Sequence, residues 1–258
     1  MDPPRVGGTY TELQQAFDPH REEAELQLYL GEAYEADRLR NYQRTLDEEV
    51  AEIRNEQLLY RTSRAYLYNL TAFAMTGTKL PYLRELVRRV PPGARLLDYG
   101  CGIGSDGLLL AEAGFRVEFA DFTNPSTEYL RWRLRRRGIQ APIHDLDLGV
   151  PSGFDAAFAF DVIEHVEDAE AFLSEMEALA DLVVVNLLES DPDDQELHHD
   201  LPVDELVRRA ADSKLAYYGI HHDRSHLLLY QPGAASLARR ARQRLAVFGV
   251  RLRRRVHA

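Results

Sequence analysis

The sequence holds one cysteine, Cys101, and only two lysines, Lys79 and Lys214, in 258 residues. A single cysteine excludes an internal disulfide framework and any multi-cysteine zinc site, and it suits a reducing compartment. Long hydrophobic runs are also missing. The longest, Leu182 to Leu188, is interrupted by Asn186 and falls far short of the ~18 residues a membrane span needs. The opening MDPPRVGGTY has no basic start followed by an apolar core, so no signal peptide is expected. A soluble, cytoplasmic protein is the expectation. Acids run out before the end: none follows Asp223, whereas residues 234–258 carry eight arginines. The net charge is nevertheless −11, and an acidic body disfavours broad contact with a nucleic-acid backbone. No DNA partner is expected.

What is present is an ordinary globular mix, 45% hydrophobic and 28% charged. A chain of this length can bury roughly 70–75% of its unfolded surface without staples. Residues 9–75 read as helix nearly throughout, with apolar residues at helical spacing (Leu26, Tyr29, Leu30, Ala33, Tyr34). Pro81 suits the first turn of a further helix. From residue 94 the texture changes to strand, loop, helix, repeated. ARLLDYG, FRVEFAD, APIHD, FDAAFAFD and DLVVVNLLE are strand-like, and helical segments stand between most of them. That alternation means a parallel sheet covered on both faces. KLAYYGIHH and SHLLLYQP then follow with only Asp223-Arg224 between them, too short for a crossover, so an antiparallel hairpin is expected. The expected organisation is a helical lid over 1–80, a doubly wound α/β domain over 81–232, and a basic helix or tail over 233–258.

The most informative segment is Leu96-Leu97-Asp98-Tyr99-Gly100-Cys101-Gly102-Ile103-Gly104. A strand ends in an acid, and glycines at alternate positions lead into a helix. Without Cβ atoms the backbone turns sharply and lies close against a flat ligand. Asp121 ends the next strand, where an acid accepts hydrogen bonds from a ribose diol. Gly102-x-Gly104-x-x-Gly107 also satisfies a dinucleotide fingerprint. However, Asp98 would then aim a carboxylate at a pyrophosphate, and the closing hairpin disfavours that fold. Cys101 has no activating neighbour in sequence and is given no chemistry of its own.

Over about residues 80–231 the chain resembles the class I S-adenosylmethionine-dependent methyltransferases. The resemblance implies a mostly parallel seven-stranded, Rossmann-like sheet ending in that hairpin. It also implies a cofactor site of Asp98, Gly100, Cys101, Gly102, Gly104, Asp121, Phe122, Asp145, Leu146 and Asp161. In that family the acid matching Asp98 lies near the methionine amino group, the one matching Asp121 holds the ribose hydroxyls, and the one matching Asp145 caps the adenine amino group. After the fourth strand, Asp161, Glu164 and His165 stand at i, i+3 and i+4, which one helical turn would place on one face. Glu164 and His165 are the candidate bases. With His199 from Glu196-Leu197-His198-His199-Asp200, the set resembles that of small-RNA 3′-end and ubiquinone-pathway O-methyltransferases, which hold magnesium or a similar ion. Asp161 stands where that subset has Glu. His221, His222, Asp223 and His226 sit near the hairpin turn, where a solvated edge is expected.

The expected reaction is methylation of oxygen or carbon on a small molecule in specialised metabolism. The N-terminal helices would act as the lid, since residues 1–60 hold fourteen acids against six bases. The alternatives are an RNA-modifying enzyme using the tail and a cofactor-binding protein without turnover. For the tail itself the readings are an amphipathic helix packed on the acidic body or on a second subunit of a homodimer, an anionic membrane surface, RNA, or a phosphorylated substrate or carrier.

Overall fold

A computed structural model describes residues 9–53, 55–190 and 199–257. The chain divides into two compact units, Met1–Val150 and Pro151–Ala258.

The first unit opens with six helices: α1 (Tyr10–Ala16), α2 (Pro19–Leu30), α3 (Ala36–Arg40), α4 (Tyr42–Ile53), α5 (Glu56–Thr62) and α6 (Ala65–Thr76). Local chemistry sets their ends. Thr9 and Glu12 form a reciprocal capping box on α1, Asp18 caps α2 ahead of Pro19, and Asn55 caps α5, each satisfying amides that a helix start leaves without partners. Gly77, in the left-handed region, ends α6. Pro81 lies in the first turn of α7 (Leu80–Val87), as its fixed φ favours. Three strands then alternate with two helices: β1 (Arg95–Tyr99), α8 (Ser105–Glu112), β2 (Arg116–Asp121), α9 (Pro125–Arg137) and β3 (Ile143–Asp145). The strands pair in parallel, with Asp98 beside Phe119 and Asp121 beside Asp145. Register therefore gathers the acids at the carboxyl edge, where open α/β sheets bind ligands.

The second unit holds β4 (Ala156–Ala159), α10 (Ala169–Leu179), β5 (Val183–Leu188), α11 (Val203–Asp212), β6 (Lys214–His221), β7 (Ser225–Gln231) and α12 (Leu237–His257). β4 and β5 are parallel, while β7 runs antiparallel to both β5 and β6. The expected hairpin is present. Its loop spans 222–224, one residue longer than the sequence suggested, because His222 and Asp223 both take positive φ (48° and 64°). The seven strands follow the order β3-β2-β1-β4-β5-β7-β6, the doubly wound, mostly parallel arrangement expected. No helix among the described residues is long and apolar enough to cross a membrane.

One buried ion network joins α2 to α9. Arg133 has no solvent exposure. It donates to Glu22 at 2.5 Å, Glu25 at 2.8 Å, the Ile103 carbonyl at 2.9 Å and Ser105 Oγ at 2.8 Å. Arg137, one turn on, grips both Glu25 oxygens at 2.9 and 2.7 Å. Burial disfavours the Glu25 charge, but Arg137 and Arg133 outweigh it and hold the carboxyl below its usual range. The planar guanidinium satisfies four acceptors at once, which a lysine ammonium cannot do in this fork geometry. Replacing Arg133 with Met leaves buried carboxylates undercompensated. The urea unfolding midpoint should drop by the equivalent of about 3–5 kcal/mol. Because the Glu25 carboxyl is depressed, the network's contribution is complete above pH 4.5 and fades as pH falls below it.

Candidate functional site

The carboxyl end of β1 leads into a loop in which Gly100, Gly102 and Gly104 all have positive φ (73°, 53° and 73°). Two anchors leave no room for side chains. A Cβ on Gly104 would sit 2.4 Å from Leu130 Cδ1, and one on Gly107 would sit 2.4 Å from Phe119 Cε1 and 2.7 Å from Asp98 Oδ2. The loop is pinned at both ends by carboxylates. Asp98 Oδ2 accepts from the Gly107 amide at 3.0 Å, and Asp121 Oδ2 accepts from the Gly102 amide at 2.7 Å. The other Asp121 oxygen accepts from the Phe122 amide at 2.7 Å. The Gly100 and Cys101 amides both donate to the Ala120 carbonyl. The result is an open glycine turn lying over the ends of two adjacent strands.

Burial sets the electrostatics. It pushes the Asp121 carboxyl up to about 6, against the pull of its amide donors. Asp98 is raised well above the ordinary range by burial and by nearby Asp106, with Lys79 opposing. The Cys101 thiol is raised too, by burial and by Asp121 and Asp98, so it stays protonated and is no nucleophile. Asp145 accepts from Thr123 Oγ1 at 2.6 Å and from the Asp147 amide at 3.0 Å. The Leu146 amide donates to the Asp121 carbonyl at 3.1 Å. Asp98, Gly100, Cys101, Gly102, Gly104, Asp121, Phe122, Asp145 and Leu146 thus form one continuous lip.

One member was not legible from the sequence. Arg61 of α5 lays its guanidinium 4.3 Å from the Phe122 ring centroid and makes a two-pronged ion pair with Asp147 at 2.7 and 2.9 Å. Only the fold brings these 86-residue-distant groups together.

In the second unit Asp161, a non-glycine residue at φ 55°, stands two residues past the end of β4. Such a conformation costs of order 1–3 kcal/mol, and Asn186 offsets it. The Asp161 amide donates to Asn186 Oδ1 at 2.8 Å, while Asn186 Nδ2 donates to Asp161 Oδ1 at 2.7 Å and to Ser225 Oγ at 3.1 Å. The helical face expected for Asp161, Glu164 and His165 does not form. Asp161 precedes a single 3-10 turn, Ile163–His165, in which Glu164 is 2% exposed and His165 is half-buried. The His199 amide donates to the Glu164 carbonyl at 2.8 Å, and its side chain is exposed. Among the described residues no three His, Cys, Asp or Glu side chains gather as a metal site. The expected ligand set of Asp161, Glu164, His165 and His199 is therefore not assembled; Glu196 and His198 lie outside the described residues. His226, expected near a solvated edge, is instead buried between Tyr218 Oη and Glu189 Oε1, each 2.7 Å away.

A family model described as a methyltransferase domain matches residues 42–243. The chain belongs to that family, and its sheet is that of the class I S-adenosylmethionine-dependent methyltransferases. Among curated proteins, the ubiquinone biosynthesis O-methyltransferase of Xylella fastidiosa (strain 9a5c) is 34% identical over 106 residues, 39% of this chain and 42% of that protein. The protein of the same name from Methylocella silvestris is 33% identical over 113 residues, 42% of this chain and 44% of its own length. The chain thus matches less than half the length of these relatives. Two solved structures share the fold. Mitomycin 7-O-methyltransferase aligns with a TM-score of 0.54 at 15% identity over 84% of this chain and 73% of its own. Magnesium protoporphyrin IX methyltransferase from Synechocystis PCC 6803, solved with bound SAM, gives 0.52 at 18% identity over 66% and 85%.

Because the Asp121 carboxyl titrates at about 6, ligands that use its charge should bind better as pH rises. Affinity for S-adenosylhomocysteine, measured calorimetrically, should climb from pH 5 to pH 7 by about tenfold and then level. In Asp121→Asn the climb should disappear and affinity at pH 7 should fall by at least about tenfold.

Proposed function

We propose that this chain is an S-adenosylmethionine-dependent methyltransferase that methylates an oxygen of a small molecule. The observation that carries the reading is the glycine loop pinned between Asp98 and Asp121, with Asp145 in register beside it. The residues present suit the cofactor. Asp121 offers an acceptor pair to ribose hydroxyls, the glycine backbone can lie against the methionine and ribose portions, Asp98 faces its amino group, and Asp145 with Leu146 borders the adenine. Phe122 supplies a flat apolar ring, with Arg61 as the group that would shift or stack. The choice of oxygen rests on the names of the curated relatives.

When bound, the cofactor supplies a methyl group on a positive sulfur. Transfer to the acceptor oxygen would form a C–O bond as the C–S bond breaks, and the sulfur would leave as a neutral thioether. The protein's share is alignment of the acceptor and removal of its proton. We assign proton removal to His165, which is open enough to exchange with solvent, with the buried Glu164 beside it as its companion carboxylate. No divalent metal enters the reading: the carboxylate of Asp161 is engaged by Asn186, and the four expected ligands do not converge. The helices before residue 80 are taken as the substrate-side lid, and the single cysteine supports a reducing, cytoplasmic setting.

The RNA-modifying alternative loses ground at α12, where Arg244, Arg251 and Arg254 pair with Asp212, Asp204 and Glu189. The test is transfer of radiolabelled methyl from S-adenosylmethionine to a panel of phenolic small molecules. Turnover on at least one phenol is expected, with His165→Asn lowering kcat by about 100-fold or more while leaving cofactor affinity within twofold of wild type, roughly. Binding of the cofactor with no transfer to any acceptor, or full activity in His165→Asn, contradicts the assignment.

A further inference from the structure

The basic helix α12 is docked in an unusual sense. Three of its arginines reach acids of the protein, while four of its large apolar residues face away. Arg244 reaches Asp212 at 2.6 Å, Arg251 reaches Asp204 and the Tyr218 hydroxyl, and Arg254 grips both oxygens of Glu189 at 2.7 and 2.8 Å. Gln243 donates to the Ala211 and Ser213 carbonyls, and Val247 is buried with it. On the opposite side Leu237, Leu245, Phe248 and Leu252 are 83%, 71%, 63% and 50% exposed. Together with the exposed Ala241 they recur every three or four residues, which makes one continuous stripe along the helix. Isolated surface leucines need no explanation, but a contiguous apolar face of this length marks a contact surface.

Charge selects the occupant. The exposed Arg242 and Arg253 fall along one edge of the stripe by helical periodicity, and α12 contains no Asp or Glu at all. Two such faces brought together from two copies would set arginine against arginine with no acid to relieve them. A nucleic acid would leave Leu245 and Phe248 without apolar cover. An anionic bilayer surface satisfies both features. The leucines and phenylalanine enter the boundary between headgroups and acyl chains, and the flanking arginines, with long apolar stems, meet the lipid phosphates.

We propose that the outward face of α12 is an interfacial membrane-binding surface that recognises anionic lipid. The helix lies in the plane of the bilayer surface, while Arg244, Arg251 and Arg254 keep it attached to the body. The inference is independent of the methyl-transfer chemistry.

The experiment is co-sedimentation of the full chain with vesicles of phosphatidylglycerol mixed into phosphatidylcholine, against vesicles of phosphatidylcholine alone. Binding should be confined to the anionic vesicles and should weaken with added salt. Leu245→Glu with Phe248→Glu should reduce it by at least about tenfold. Arg242→Gln should reduce it by about fivefold. Leu245, Phe248 and Arg242 all face solvent, so thermal melting of these variants should match wild type, which separates lost docking from lost folding. Equal or absent sedimentation with the two vesicle types overturns the proposal. So does unchanged binding in Leu245→Glu/Phe248→Glu. A concentration-dependent dimer in sedimentation velocity that the same double variant converts to monomer would assign the face to a second copy and overturn it equally.

Discussion

Arg133 is the residue on which the first unit's arrangement depends. Its guanidinium is fully buried, and its contacts tie down three parts of that unit: α2 through Glu22 and Glu25, the glycine loop through the Ile103 carbonyl, and the start of α8 through Ser105. Burying an arginine with two glutamates carries a desolvation cost of several kcal/mol per ion. What the arrangement gains is specificity, since few alternative packings satisfy every donor and acceptor at once. Helix α2 is thereby locked to the same turn of chain that forms the proposed cofactor cradle. Ser105 also donates to Glu22, so the network closes on itself.

The cradle obeys a related constraint. Asp98 is buried and Asp121 half-buried, and burial raises both carboxyls. Each nonetheless fixes a backbone amide of the loop. Asp121 shapes the empty loop, and under the proposed function the same carboxylate is the group that a ribose would meet. Gly104 and Gly107 make this possible by letting α9 and β2 side chains approach within distances that any Cβ would block.

Much of this was legible in the sequence. The alternation of strands and helices, the glycine turn, Asp121 at the next strand end and the closing hairpin all follow from local pattern, and each is present. What sequence could not supply depended on distant partners. The fourteen acids of residues 1–60 argue for a lid by count alone, but nothing local shows that Glu22 and Glu25 are buried, because Arg133 and Arg137 arrive from more than a hundred residues away. Asp161, Glu164 and His165 read as one helical face. That pattern fails because Asn186, 25 residues further on, holds Asp161 in a left-handed conformation. Packing of the tail helix on acidic groups of the body is observed. The outward turn of its apolar stripe could not be read from composition, because periodicity fixes two faces without saying which one docks.

The most direct test of the central claim is a crystal structure of the protein with S-adenosylhomocysteine. The account predicts ribose hydroxyls within hydrogen-bonding distance of the Asp121 carboxylate, about 2.5–3.0 Å, with the glycine loop against the ligand and Asp145 beside the adenine. A ligand lodged elsewhere, or Asp121 still turned wholly to the Gly102 and Phe122 amides with the product bound, would contradict it.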